Sequence, residues 1–287
     1  MLVEEGLERF VEQLRANGRS QHTTAQVSRH VRAFATWLHD ENHPTRVALI
    51  AHELVARYFA SDETKCRPDG RVRKTTTLNA HRGSLRNFLG FLHRAGYTAT
   101  DAGRLIQRAR CSPLRPRGLR DDEQQRLLAV LPRAPERDRV LVLTLLRCGF
   151  RIGAALGLDV ADLDLERAEL TVRSGKGGQA DRFPVGSMLQ AELARLVAGR
   201  TAGPVFVGRA GRRMTTRHAA RRFRTLLDAA EICRASLHSL RHTYAEAVLA
   251  RTGDIFSVKE ALGHRSIAST LVYLEGRREA VRRAATL

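Results

Sequence analysis

The sequence is poor in cysteine and has no long apolar segment. Its four cysteines lie far apart in the chain and form no CxxC pair. This pattern predicts neither a zinc site nor a disulfide framework, and it favours a reducing compartment. No apolar run is long enough to cross a bilayer, and the N-terminal segment MLVEEGLERF lacks the apolar core of a secretory signal. We therefore expect a soluble, cytoplasmic protein without a membrane partner.

Acidic residues are also in short supply. The chain has 30 Asp and Glu against 49 Lys and Arg, a formal net charge of +19 and a pI of about 11.2. Only four of the basic residues are Lys. A gene rich in G and C would explain the preference for Arg, but it would not explain the charge. The surplus predicts a polyanionic partner, and its spread along the whole chain favours nucleic acid over a membrane surface.

A chain of 287 residues is long enough for two domains. Residues 1–107 are predicted to be helical, with apolar residues at helical spacing in 23–39 and 78–95. Residues 108–118, RARCSPLRPRG, contain two prolines and four arginines without helical periodicity, which predicts a basic linker. Residues 119–287 would form the second domain. Such a linker would let two basic domains close around a duplex as a clamp.

The basic segment RVRKTTTLNAHR, residues 71–82, leads into the helix predicted at 78–95. Its Thr, Asn, His and Arg side chains could reach phosphates and base edges in a major groove. They could equally form an ordinary solvated surface. The sequence leaves both interpretations open. The same two interpretations apply to RHAARRFR, residues 217–224, which includes His218.

The second domain is predicted to combine helices with a small antiparallel sheet. Three short segments near residues 163–165, 170–172 and 183–185 alternate apolar and polar residues, as strands do. The predicted helices are 121–131, 136–148, 187–198, 215–230, 237–251, 255–262 and 266–273. The expected fold class is therefore mostly α with one small antiparallel β-sheet.

Two motifs of this domain carry cationic residues in fixed positions. LHSLRHTY places His238 and Arg241 three positions apart, and therefore on one face of a helix. CGFRIG places Arg151 directly after an apolar helix, where a glycine lets the chain turn. Each has an ordinary alternative, since a His and an Arg often share a helical face and a helix-end Arg often binds carbonyls.

Two further motifs complete the set. SGKGG puts Lys176 at the tip of a strand turn, and LGHRSIASTLVY carries His264 and, nine residues later, Tyr273. Singly, these residues could be a solvated turn, a helix cap and a half-buried amphipathic side chain. The ordered occurrence of all six residues argues against six separate coincidences.

In this order, CGFRIGAALGL, SGKGG, LHSLRHTY and LGHRSIASTLVY resemble the catalytic domain of the tyrosine recombinases, the phage integrase family. The likeness covers residues 119–275, and the helical N-terminal part resembles the core-binding domain of that family. The resemblance implies a two-domain architecture, a helical core-binding domain and an α+β catalytic domain. It also implies an enzyme that cleaves and rejoins double-stranded DNA at specific sites through a 3′-phosphotyrosine intermediate.

The resemblance assigns roles to four of these residues. Arg151 and Arg241 would grip the nonbridging oxygens of the scissile phosphate and stabilise the charge of its transition state. Tyr273 would attack phosphorus and leave a free 5′-hydroxyl, so that no water is consumed. Lys176 would protonate the leaving oxygen.

The two histidines complete the implied site. His238 would help to deprotonate the nucleophile or position the phosphate, and His264 would donate a hydrogen bond to a phosphate oxygen. Because guanidinium groups carry the phosphate charge and the bond energy is conserved, neither a metal nor another cofactor nor a small-molecule substrate is expected.

One residue departs from the family pattern. Ala154 stands three positions after Arg151, where the family usually has an acid that would orient nearby side chains. This motivates one alternative function, a DNA-binding or accessory protein with weakened catalysis. A type IB topoisomerase or a hairpin-forming resolvase is another, because the chemistry is shared.

The resemblance further implies a homo-tetramer on two DNA sites. The basic tail, residues 274–287, could dock on a neighbouring protomer or fray as chain ends do.

Overall fold

The computed structural model describes residues 1–111, 117–173, 180–263, 267, 270 and 271. The chain forms two compact units, Met1–Pro113 and Leu114–Leu287, and each has its own hydrophobic core. The described residues are mostly helical, with one small antiparallel sheet, which confirms the predicted fold class. None of the helices in these ranges is both long enough and apolar enough to cross a membrane.

The first unit is built from helices whose apolar faces meet in one core. The core is centred on Phe34 of the second helix and Phe88 of the fifth, both fully buried. The helices are α1 (Val3–Ala16), α2 (Gln21–Asp40), α3 (His52–Ala60), α4 (Asp62–Lys65) and α5 (Thr75–Arg94).

Two helix starts differ from the sequence prediction by more than one residue. α2 begins at Gln21 rather than Thr23, because Ser20 caps it and its Oγ accepts the N–H of Thr23 at 3.2 Å. α5 begins at Thr75 rather than Leu78, so part of the basic segment 71–82 belongs to the helix.

Asn79 in that segment has a structural role. Its side chain is buried, with 4% of the residue exposed. Its Nδ2 donates to the carbonyl of Ala109 and its Oδ1 accepts the N–H of Ala109, both at 2.9 Å. For Asn79 the contact with a base edge is therefore the wrong interpretation, since its amide is already paired with main chain. The same bonds fasten the start of the predicted linker to α5.

In the second unit, helix α7 forms the centre of the core. It spans Glu136–Cys148, as its apolar run predicts, and ends where Gly149 adopts a left-handed conformation (φ 62°). The other helices are α6 (Asp121–Val130), α8 (Ile152–Gly157), α9 (Ser187–Leu196), α10 (Thr216–Ala229), α11 (Leu237–Thr252) and α12 (Ile255–Ala261).

The sheet has three antiparallel strands in the order β1 (Leu163–Asp164), β2 (Glu169–Arg173) and β3 (Ala180–Pro184). Leu170, fully buried, pairs with Leu163 on one side and with Phe183 on the other, so the sheet packs on the core through its central strand. Residues 174–179, most of the predicted helix 266–273 and the tail 274–287 lie outside the described residues.

The cysteines occupy contrasting environments. Cys148 is buried at the end of α7, and burial raises the pKa of its thiol to about 12. Cys111 in the first unit and Cys233 in the second are exposed, and Cys66 is partly buried. All four are free thiols, so no disulfide joins them.

Candidate active site

Arg241 on α11 is a buried cation whose position is fixed by main chain. Only 3% of the residue is exposed. Its Nη1 donates to the carbonyl of Gly149 at 2.6 Å and its Nη2 donates to the carbonyl of Leu262 at 2.8 Å. A buried guanidinium is tolerated only where such acceptors meet it. Two separate loops are thereby attached to α11 through one side chain.

Gly149 is required where it stands. It ends α7 in the left-handed region, and a Cβ at this position would overlap the ring of Tyr244. The aromatic ring therefore packs directly on the peptide that Arg241 holds. The arrangement fixes the chain two residues before Arg151.

Arg151 occupies the N-cap position of α8. Its carbonyl accepts the N–H groups of Ala154 at 2.8 Å and Ala155 at 3.1 Å, so the backbone is fixed while the side chain is exposed. No hydrogen bond or ion pair engages its guanidinium within the described part of the chain. Among the described residues its guanidinium thus binds no carbonyl at the end of α7, so a role as an ordinary helix-end cation does not explain it, and the N-terminus of α8 is an unfavourable place for a cation.

His238 lies one turn before Arg241 on α11. Desolvation by burial lowers the pKa of its imidazole, and the charges of Arg241 and then Arg151 lower it further. The two arginines, which are distant in sequence, therefore act on the same ring. The imidazole is neutral at physiological pH and is able to accept a proton.

Two further aromatic residues belong to this region and were not assigned a role from the sequence. The ring of His242 stands edge-on to His238 with centroids 4.5 Å apart, and His242 is buried. Their i, i+4 spacing on a helix could have indicated this contact. Tyr244 is partly buried, and desolvation raises the pKa of its phenol, which is the opposite of what a nucleophile needs.

Three of the predicted site residues, Lys176, His264 and Tyr273, lie outside the described residues. Ala154 is described, and it is partly buried against the core of the second unit. Within the described ranges, no group of three His, Cys, Asp or Glu side chains is arranged to hold a metal ion.

The basic stretch 217–224 on α10 is not a uniform solvated surface. Arg222 Nε donates to the buried carboxylate of Asp138 at 2.6 Å, and Phe223 is buried. Arg217, Arg221 and Arg224 remain exposed. A contact with nucleic acid from this stretch would therefore involve only part of it.

Comparison with known proteins places the chain in a family. Residues 117–279 match the phage integrase family, and residues 7–96 match the phage integrase N-terminal SAM-like domain. The first match alone covers more than half of the chain. The protein belongs to the phage integrase family and is a tyrosine site-specific recombinase, as the motifs indicated.

Relatives and solved structures agree with this assignment. Tyrosine recombinase XerC of Pelobacter propionicus is 31% identical over 268 residues, covering 88% of this chain and 84% of the relative. Tyrosine recombinase XerC of Chromobacterium violaceum is 26% identical over 279 residues, covering 94% and 90%.

Two crystal structures have the same fold. A lambda integrase (75–356) dimer bound to a COC′ core site matches with a TM-score of 0.72 and 18% identity, over 93% of this chain and 96% of that chain. XerH recombinase bound to palindromic difH, a post-cleavage complex, matches with a TM-score of 0.75 and 17% identity, over 98% and 83%. The two-domain tyrosine recombinase fold predicted from the motifs is therefore confirmed.

Proposed function

We propose that this recombinase cleaves and rejoins double-stranded DNA at specific sites, with Tyr273 as the nucleophile. The observation that carries the proposal is the convergence of Arg151, His238 and Arg241, in which both guanidinium charges act on one neutral imidazole. The net charge of +19 supports a DNA partner. The lambda integrase and XerH structures that share the fold are complexes with DNA.

The two arginines would share the scissile phosphate in different ways. Arg241 is preorganised, because its carbonyl bonds to Gly149 and Leu262 fix the plane of the guanidinium before DNA binds. Arg151 is exposed and would meet the phosphate from the solvent side. Together they would neutralise the charge that gathers on the nonbridging oxygens in the transition state.

The covalent step is a transesterification. The phenolic oxygen of Tyr273 would form a bond to phosphorus while the bond from phosphorus to the 5′-oxygen breaks. His238 would accept the phenolic proton or position the phosphate, and Lys176 would give a proton to the leaving 5′-oxygen. His264 would donate a hydrogen bond to a phosphate oxygen. Attack by a 5′-hydroxyl of the partner duplex would reverse the step and release the tyrosine.

We assign residues 1–107 as the core-binding domain, 108–118 as the linker and 119–287 as the catalytic domain.

The proposed assembly is a homo-tetramer on two DNA sites, and the proposed location is the cytoplasm. A lambda integrase tetramer bound to a Holliday junction supports this assembly, since it shares the fold. The tail 274–287 would dock on the neighbouring protomer.

The test is a search for the covalent intermediate. A target site is first mapped by protection of DNA from the neighbourhood of the gene, and a nicked duplex of that site is then incubated with the protein. We expect an adduct on denaturing electrophoresis with the wild type, none with Tyr273→Phe, and unchanged DNA affinity for both.

Tyr244→Phe is the matched control, because this tyrosine packs on Gly149 and has a raised pKa. It should retain the adduct. An adduct that survives in Tyr273→Phe would refute the assignment of the nucleophile.

A further inference from the structure

We propose that the end of the linker positions the helix that carries the candidate active site. Segment 117–119, here called the linker anchor, is attached to α11 through Thr243 and Glu246. We infer that these two are positioning residues, which hold the helix of His238 and Arg241 in register for the reaction. The inference rests on the proposed function, because it concerns the geometry of the same site.

The first attachment is a buried hydrogen bond. The N–H of Leu119 donates to Thr243 Oγ1 at 2.7 Å, and Leu119 and Thr243 are both buried. The same hydroxyl donates to the carbonyl of Ser239 at 3.0 Å. The Thr243 hydroxyl therefore acts as donor and acceptor at once, and its orientation is fixed on both sides.

The second attachment is made at Gly118. Its N–H donates to Glu246 Oε1 at 3.2 Å. A Cβ at position 118 would lie 2.9 Å from both the N and the Cα of Thr243, and it would also overlap the carboxylate of Glu246. The main chain of the anchor thus lies against the main chain of α11, at a distance that only glycine permits.

A carboxylate stiffens the anchor from its other side. Glu123 at the start of α6 has a buried side chain, which accepts the N–H of Arg120 at 2.9 Å. The guanidinium of Arg117 contacts the same carboxylate. The anchor is therefore held by Glu123 as well as by α11. Because it has little freedom to move by itself, we expect a displacement of its backbone to displace α11.

The anchor and the active-site residues lie on different faces of α11. Successive residues of an α-helix are rotated by about 100°, so Thr243 lies roughly 200° from Arg241 around the helix axis. On the Arg241 side, the helix is held by the carbonyls of Gly149 and Leu262. The anchor holds α11 on the side of the helix away from these bonds. Loss of the attachments on either side should let the His238 imidazole and the Arg241 guanidinium shift together.

The decisive variant is Gly118→Ala, which forces the anchor away from α11. Its matched control is Gly186→Ala in the same unit, where a Cβ would meet no atom within 4 Å. We expect DNA affinity to stay within about twofold and the rate of adduct formation to fall at least about tenfold in Gly118→Ala, because small misplacements of reacting groups are costly. The control should match the wild type in both.

A second readout does not depend on activity. The pKa of His238 is lowered by burial, Arg241 and Arg151, so it reports where the imidazole sits among them. Titration by NMR, with the resonance assigned from a His238→Gln spectrum, should show this pKa moving up toward 6.5 in Gly118→Ala and staying unchanged in Gly186→Ala. An ordinary loss of stability would not move it.

A second pair of variants tests the same attachment if Gly118→Ala does not fold. Thr243→Val preserves shape but removes the acceptor for Leu119, and Thr243→Ser restores the hydroxyl. We expect slow adduct formation and a raised His238 pKa in the first, and recovery of both in the second.

Wild-type kinetics together with an unchanged His238 pKa in Gly118→Ala or Thr243→Val would overturn the positioning role. Absence of an adduct from the wild type would refute the proposed function instead, while the His238 pKa would still decide on the anchor.

Discussion

The guanidinium of Arg241 donates a 2.6 Å hydrogen bond to the carbonyl of Gly149, which stands two residues before Arg151. The two arginines proposed to share a phosphate are therefore connected through this hydrogen bond and the short main-chain segment Gly149-Phe150. Gly149 is in turn covered by the ring of Tyr244, from the same helix as Arg241. The end of α7 and the middle of α11 are therefore held together by direct contacts. Substitutions in either segment should affect both arginines.

Gly149→Ala should be strongly destabilising. It would place a side chain in the left-handed region and against the Tyr244 ring, at a cost of about 2–4 kcal/mol in the free energy of unfolding. Urea unfolding followed by circular dichroism measures this cost. Gly157→Ala, where a Cβ meets no atom within 4 Å, is the control. Equal unfolding free energies for the two variants would contradict the packing described for Tyr244.

Arg241→Lys and Arg151→Lys should distinguish what each arginine contributes to stability from what it contributes to catalysis. A lysine at 241 cannot reach both carbonyls as a planar fork does, so we expect a loss of about 1–3 kcal/mol of stability. Arg151→Lys should leave stability unchanged, because its side chain is exposed. Both should reduce adduct formation, on the order of a hundredfold. Urea unfolding and electrophoresis of the adduct are the measurements, and a stable Arg241→Lys protein would show that the carbonyl bonds are dispensable.

A histidine pair should make the first unit sensitive to acid. His30 and His81 stack with ring centroids 4.5 Å apart, and His30 Nδ1 bonds to Ser84 Oγ at 2.8 Å. Burial, then the charges of His81, Arg29 and Arg73, lower the pKa of His30 to about 4. Below pH 6.5, His30 becomes protonated in the unfolded chain but stays neutral in the folded unit. The stability that is present above pH 6.5 is therefore lost as the pH falls toward 4.

Unfolding of this unit can be followed at Trp37, because it is the single tryptophan of the chain and is buried there. We expect a loss of about 1–2 kcal/mol between pH 7 and 5, after allowance for solvent screening. The loss should shrink in His30→Asn and persist in the control His22→Gln, which changes an exposed histidine. A pH dependence that is identical in all three proteins would contradict the assignment to His30.

Binding to duplex DNA should weaken steeply as salt is added. The net charge of +19 implies several phosphate contacts, and each contact releases counterions. We expect affinity to fall on the order of a hundredfold or more between about 50 and 200 mM salt. Fluorescence anisotropy with a labelled duplex measures the slope of the logarithm of the affinity against the logarithm of the salt concentration. A slope near zero would argue against a clamp formed by two basic domains.

The elements with continuous local signals were predictable from the sequence. Helix α7 matched its predicted bounds because an unbroken apolar run stops at a glycine, and the strand pairs followed from alternation. The start of α5 was misplaced because its first turn, from Thr75, is polar and has no apolar period to reveal it.

The contacts that hold the predicted linker and the candidate site in place are not local. Asn79 pairs with Ala109, thirty residues away, and Gly118 pairs with Glu246, 128 residues away. No periodicity encodes such pairs. The motifs named Arg151, His238 and Arg241, and the charges of the two arginines act on His238 in the structure, but the motifs did not distinguish the buried Arg241 from the exposed Arg151. The roles of Lys176, His264 and Tyr273 stay predictions.

The uneven burial of the thiols gives the protein built-in positions for labelling. Cys148 would react slowly with maleimides, since its burial and its raised pKa both suppress the thiolate. Cys111 and Cys233 are exposed, one in each unit. After Cys66→Ser, a donor and an acceptor dye could be attached at these two native positions. Energy transfer between them would then record, in real time, any change in the separation of the units when DNA is added.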